Sequence, residues 1–574
     1  MEGSPINRRL HTALRQLAVC CLVFGCAWWW PVAPRAIAQG GRRGSEQNSQ
    51  TKTNVPRRDV VSRLVRDAAT LLQAGKLREA EVAARSAVTA MPRDSEAHAL
   101  LGVILDQRGQ QVEAERELRE ALRLNPKSAG ALTNLGVLLV RINRADEAAK
   151  TFEEALAVSP NHAQASYNLA VLYIARKDYE RAIPLLERLA GMNGAVESAD
   201  MALLLTLADA YAHGRRAQDA EKLSDLIERR AVDDPRALFT LGLALADAGA
   251  YERAARLFER TNQLRPNTYE VLYNLGIALF NLDRLDEARK ALQDAATLKP
   301  DGPEVFYRLG LVASAKGESE NALGLWQRAL KLNPAYADAY FMIAEELVKN
   351  RRNERAIPFY EGAVERDSSQ LLYHMRLGIA HFREHHYQQA REIFEQALKR
   401  FPDNATLYYL IGYVSRAEGQ FDAAAKAFQR SVELQPENAA AYANLGFLAT
   451  ERGQHEEGER LLRRSLSLDL DNYPATYDLG RLLVRLSRYN DALPVLERGA
   501  RLSPNDPGIH YQLFLAYSRL KRKDDSDREL ATFKRLDEAR KNPGAGEGAA
   551  GTATTTTTDE LPSPAVVNPA PKKP

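Results

Sequence analysis

Apolar and polar positions alternate along most of this chain with a helical period, and the alternation itself repeats. A large aliphatic residue followed by a small one marks each unit. Leu135-Gly136 is matched 34 residues earlier by Leu101-Gly102 and 34 residues later by Leu169-Ala170. The pair returns at Leu241-Gly242, Leu275-Gly276, Leu309-Gly310, Ile343-Ala344, Leu377-Gly378, Ile411-Gly412, Leu445-Gly446 and Leu479-Gly480. Only the step from Ala170 to Ala208 is longer, by four residues, and the surplus falls near Gly191-Met192-Asn193-Gly194, which reads as a loop. Each unit predicts two helices joined by a turn. Position 15 is often glycine (Gly75, Gly109, Gly249, Gly317, Gly419, Gly453), suited to ending a helix in the left-handed conformation. Proline at position 32 stops the second helix. Small residues at positions 8, 20 and 27 allow helix axes to approach, and large apolar residues at 7 and 24 fill the space between them.

This pattern resembles the tetratricopeptide-repeat (TPR) family, whose unit is a 34-residue helix–turn–helix. The third repeat supplies Gly136, Ala148, Phe152, Ala155 and Pro160 at the family's positions. The sixth supplies Gly242, Ala254, Phe258, Thr261 and Pro266, and the eleventh Gly412, Ala424, Phe428, Ser431 and Pro436. The resemblance implies an all-α, right-handed superhelical solenoid of about fourteen repeats over residues 61–540. The repeats fall near 61–94, 95–128, 129–162, 163–200, 201–234, 235–268, 269–302, 303–336, 337–370, 371–404, 405–438, 439–472, 473–506 and 507–540. A helix pair cannot cover its own apolar faces, so neighbours must stack and the ends need polar caps. The charged stretch from Asp524 to Lys541, with Phe514 and Ser526 off the motif, is expected to be the last cap.

The flanks differ in composition. Residues 1–38 read as a signal peptide: Arg8, Arg9 and Arg15 precede an uncharged run from about Leu17 to Ala33, and Ala36-Ile37-Ala38 is a small-x-small cleavage pattern. The same run could instead stay as an uncleaved anchor. A lipoprotein reading at Cys26 fits poorly because Phe24 departs from that motif. Residues 39–60 are polar and read as a disordered linker, and 541–574, with its threonine run and prolines, as a disordered tail. The chain is therefore expected to be exported, to the periplasm or beyond the cell, or held at the membrane by its first segment.

Charge and cysteine content narrow the function. The 574 residues carry a net charge of +3, and residues 1–38 alone account for it. A balanced body has no electrostatic footprint for nucleic acid. All three cysteines (Cys20, Cys21, Cys26) lie in the first segment, so the repeats offer neither disulfide nor thiolate. The repeats leave no room for a catalytic domain, and no cofactor motif is present, so no enzyme activity, cofactor or metal is expected. His381-Phe382-Arg383-Glu384-His385 spells a metalloprotease-like H-x-x-E-H, but His385 falls at position 15, in the turn, so both histidines cannot share one helix face.

Binding is the remaining class. In the family, first helices line the concave groove, which implies protein or peptide partners, with glycans as the alternative and a membrane only if the leader is retained. Position 6 carries Asn134, Asn168, Asn274 and Asn444, whose amides could bond a peptide backbone. Position 5 carries Tyr167, Phe239, Tyr273, Tyr307, Phe341 and Tyr409, which read either as helix packing or as an aromatic groove wall. Position 9 is often apolar, as at Val137, Leu311 and Phe447.

Overall fold

The computed structural model describes residues 55–191 and 196–541. Among them are 28 α-helices, one short 3-10 turn and no strand. The leader, most of the expected linker and the tail lie outside the described residues. The chain forms two compact units that divide after Leu298.

The first unit contains seven helix pairs, from Val55–Gln73 with Leu77–Ala90 to Tyr269–Asn281 with Leu285–Leu298. The second contains seven more, from Pro303–Ala315 with Ser319–Leu332 to Pro507–Arg519 with Lys523–Lys541. The expected linker is shorter than its composition suggests. The first helix begins at Val55, not at 61, because Pro56 sits in the opening turn, where its missing N–H costs nothing.

Local chemistry accounts for the helix ends. Most first helices open on a side-chain cap: Asp94 accepts from the Ala97 amide, Asn404 from Leu407, Asn438 from Ala441 and Asn472 from Ala475. They close in a left-handed residue at position 15. Six glycines at that position have positive φ, among them Gly249 at 86°. Where glycine is absent the turn is kept: Lys177, Arg351, His385, Ser487 and Lys521 hold φ between 59° and 61°. Second helices stop before the position-32 proline, which forces its predecessor out of the helical region. Asn125 (φ −138°, ψ 87°) and Asn333 (φ −138°, ψ 93°) show this.

The core of most pairs is a large side chain set on a glycine. Phe152 lies on Gly136, Phe258 on Gly242, Trp326 on Gly310 and Phe394 on Gly378, and all four large side chains are fully buried. A methyl group added at Gly310 would meet Trp326 Nε1 at 2.3 Å. That nitrogen is already committed, donating to the Tyr307 carbonyl at 3.1 Å.

Ion pairs bridge successive repeats. Arg144 reaches Glu115 (2.8 Å), Arg253 reaches Glu228 (2.7 Å), Arg352 reaches Glu320 (3.1 Å) and Arg488 reaches Glu459 (2.8 Å). Each arginine begins or flanks the second helix of its own repeat, and each carboxylate belongs to the repeat before.

Candidate functional site

The candidate surface is the exposed side of the first helices, and the structure sorts its residues by burial. At position 6, Asn134 and Asn274 are half-buried, whereas Asn168 is completely buried. The Asn168 carboxamide oxygen accepts from Gln164 at 3.2 Å within its own helix, and its nitrogen is buried without a hydrogen-bond partner among the described residues. Asn274 and Asn444 donate back to the carbonyls of Glu270 (2.7 Å) and Ala440 (2.8 Å). The adjacent pair Asn134 and Asn168 therefore does not form a continuous polar strip facing solvent: a side chain with no accessible area touches no ligand.

The aromatic row is mostly packing. Tyr273 and Tyr409 are buried, and burial pushes the Tyr409 hydroxyl well above its usual pKa. Phe239 tilts against Phe258 at 5.6 Å, Tyr307 against Tyr336 at 5.1 Å, and Phe341 stacks on Tyr373 at 4.8 Å. Tyr167 stays half-exposed, with its hydroxyl 3.2 Å from that of Thr206. Of the two readings of this row, packing accounts for these contacts. Of the named candidates, Asn134, Tyr167, Phe239, Asn274, Tyr307 and Phe341 are partly exposed, whereas Tyr273, Tyr409 and Asn444 are buried and Asn168 has no accessible surface at all.

The metalloprotease-like pentad falls apart in space. His381 lies in the helix Leu371–Arg383, nearly buried and 4.0 Å from Glu361. Burial, with His386 nearby, holds its pKa below the ordinary histidine value. His385 occupies the left-handed turn and hydrogen-bonds the Tyr387 hydroxyl at 2.7 Å. Among the described residues no three His, Cys, Asp or Glu side chains converge on a metal-sized space.

Charged groups on the same face were less visible in the sequence. The Arg416 guanidinium lies 4.9 Å from the Tyr413 ring and 5.5 Å from Phe447, and Arg481 approaches Phe447 at 5.7 Å. Asp478 and Glu451 sit 3.3 Å and 3.1 Å from Arg481. Burial raises the Asp478 carboxyl to about 6 against the pull of Arg481 and Arg416. The signal was present, as arginine at position 13 of three late repeats and at positions 9 and 12 of others, but it recurs in too few repeats to enter the repeat motif.

Family models match three stretches. The C-terminal domain of cilia and flagella-associated protein 70, itself a TPR domain, matches residues 334–555, and two tetratricopeptide-repeat models match 68–129 with 133–200 and 245–309. The chain belongs to the tetratricopeptide-repeat family. TPR proteins generally serve as non-enzymatic scaffolds, and their fold suits protein–protein interaction. No curated protein matches this TPR chain. Among solved structures, Naa15/Naa10 bound to HypK-THB aligns at 16% identity over 83% of this chain and 94% of that one, with a TM-score of 0.32. Yeast Tom70 aligns at 15% identity over 79% and 97%, with a TM-score of 0.32. The C-terminal part of a TPR-containing protein from Cytophaga hutchinsonii aligns at 16% over 42% and 99%, with a TM-score of 0.38.

Proposed function

We propose that this TPR protein is an exported scaffold of the cell envelope that gathers partner proteins or peptides on the face formed by its first helices. The observation that carries the binding role is the half-exposed apolar row at position 9. In the first unit Val103, Val137 and Val171, on three successive first helices, and Leu243 and Ile277, on two more, keep part of their surface in contact with solvent, as Leu311 and Phe447 do in the second unit, whereas Ile379 and Tyr413 at the same position are buried. Alternating with half-exposed polar groups such as Asn134, this is the texture that an extended peptide or an amphipathic helix can cover. The envelope setting rests on the basic, apolar and small-residue segments of the leader. The glycan alternative needs open ring faces, and the rings of Phe239, Tyr307 and Phe341 are already turned toward neighbouring aromatics.

The test is a pull-down from envelope extract with the full chain and with a Val137→Ser, Leu311→Ser, Phe447→Ser variant of equal helical content. Loss of a specific partner in the variant supports the reading. A partner held equally by both proteins moves binding to another surface, and no saturable partner at all removes the scaffold role. Fractionation of the expressing cells tests the location, and a wholly cytoplasmic chain with an intact amino terminus refutes it.

A further inference from the structure

The exposed face of the first helices is not uniform in charge. In the first unit, the first helices from Ser95–Gln107 to Tyr269–Asn281 carry only Arg141 and Arg236 against five carboxylates. In the second unit, the last five first helices, Leu371–Arg383, Ala405–Ala417, Ala439–Glu451, Tyr473–Arg485 and Pro507–Arg519, carry six arginines against Glu451 and Asp478 alone. Both of those carboxylates lie against Arg481. Arg383, Arg485 and Arg519 are exposed, occupy the same register position, the last residue of their helices, and make no ion pair among the described residues. Cations favour helix C-termini, but of the corresponding residues of the first unit only Arg141 and His213 are basic, and Gln107, Ala175, Asp247 and Asn281 show that these turns do not require a cation. Arg416 and Arg481 lie over the aromatic rings of Tyr413 and Phe447, which holds their guanidiniums in place before any partner arrives.

We infer that the first helices of the last five repeats bind an acidic peptide segment in extended form, its carboxylates met by Arg383, Arg416, Arg485 and Arg519, while Arg481 stays paired with Glu451 and Asp478. The inference rests on the peptide-binding reading above and names the chemistry of the partner. Packed helices sit ~8–10 Å apart, so an extended chain rising ~3.3 Å per residue meets a new repeat about every third residue. An acidic residue at every third position is therefore the best match. Guanidinium–carboxylate pairing is directional and can be bidentate, and it weakens as salt rises.

The experiment is fluorescence anisotropy on the full chain with three labelled probes of repeating Glu-Gly-Ser, Gln-Gly-Ser and Lys-Gly-Ser. The Glu probe is expected to bind saturably and at least tenfold more tightly than the Gln probe. Arg383→Gln/Arg485→Gln/Arg519→Gln, all at exposed positions, should weaken it tenfold or more, while Asp247→Asn in the first unit leaves it unchanged. The charge reversal Arg383→Glu/Arg485→Glu/Arg519→Glu should transfer preference to the Lys probe. Equal binding of the Glu probe by the triple Gln variant overturns the inference. So does equal affinity for a polyuronate oligosaccharide or a single-stranded oligonucleotide, which would mark a surface for any anion. If the Gln or Lys probe binds and the Glu probe does not, the acidic assignment fails while peptide binding stands. If no probe binds and the envelope pull-down is also empty, the peptide-binding reading itself has failed.

Discussion

Two glycines of the eighth repeat allow one substitution to be made with opposite signs. Gly310 faces the fully buried indole of Trp326, and a Cβ there would lie 2.3 Å from Nε1 and 2.6 Å from Cδ1. Gly324, in the helix that carries Trp326, has nothing within 4 Å of its ideal Cβ. Replacing a helical glycine with alanine gains ~0.5–1 kcal/mol of backbone entropy at either site. At Gly310 that gain is opposed by overpacking, ~1–3 kcal/mol. Pushing the indole aside also breaks its bond to the Tyr307 carbonyl, a further ~1 kcal/mol. Gly310→Ala should therefore destabilise the second unit by ~1–3 kcal/mol, and Gly324→Ala should stabilise it by ~0.5–1 kcal/mol. Urea unfolding reads both through Trp326 fluorescence, because the other three tryptophans are Trp28, Trp29 and Trp30. A Gly310→Ala midpoint equal to or above that of the unmodified protein would refute the close-packing argument. The repeat next in sequence pairs Ala344 with Tyr360, so the penalty belongs to the shape of the indole and not to alanine at position 8 as such.

Further consequences can be measured independently. Arg351→Gly removes a side chain from a left-handed turn (φ 59°) and should raise stability by ~1 kcal/mol in denaturant titration. The buried Glu346 carboxyl is held below the usual carboxylate range: burial pushes it up, but the hydroxyls of Ser314 and Ser319, with Lys349 and Asn350, together outweigh that. Its contribution is therefore present above the unfolded pKa and lost as pH falls through the lower folded value. Glu346→Ala should cost ~1–3 kcal/mol at pH 7 and progressively less below pH ~4 in pH-dependent melts. Asp478 has the opposite sign, because its folded pKa of about 6 lies above the unfolded value. Its charge costs stability at neutral pH, and the cost disappears as pH falls toward the unfolded pKa. Asp478→Asn should thus stabilise by ~1–2 kcal/mol at pH 7 with no gain near pH 4.

The repeat frame was legible because its determinants are local and periodic. Glycine under an aromatic ring, proline after a helix and a capping Asp or Asn each act within one unit, so they recur every 34 residues. The left-handed turn was legible only where glycine marks it. At Lys177, Arg351 and Ser487 the same φ is imposed by the flanking helices, and nothing in the side chain announces it. The candidate site was less legible for a related reason. Asn134 and Asn168 share a position and a residue type, yet one is half-exposed and the other fully buried. Gln164, one turn earlier in the same helix, donates to the Asn168 carboxamide oxygen, and no property of position 6 itself encodes that. The arginine tract escaped notice because arginine holds position 13 in only three of the late repeats and falls at positions 9 or 12 elsewhere.

The arginine–carboxylate bridges between neighbouring repeats also have a mechanical meaning. Each one crosses a boundary, tying the turn of one helix pair to the second helix of the pair before, as Arg488 ties to Glu459 and Arg352 to Glu320. Exposed pairs of this kind contribute only ~0–1 kcal/mol each and are weakened by salt. Pulled from its ends, a stack joined in this way gives way one helix pair at a time, and the force at each step falls as ionic strength rises. The stack is a graded spring whose stiffness is set partly by the surrounding electrolyte.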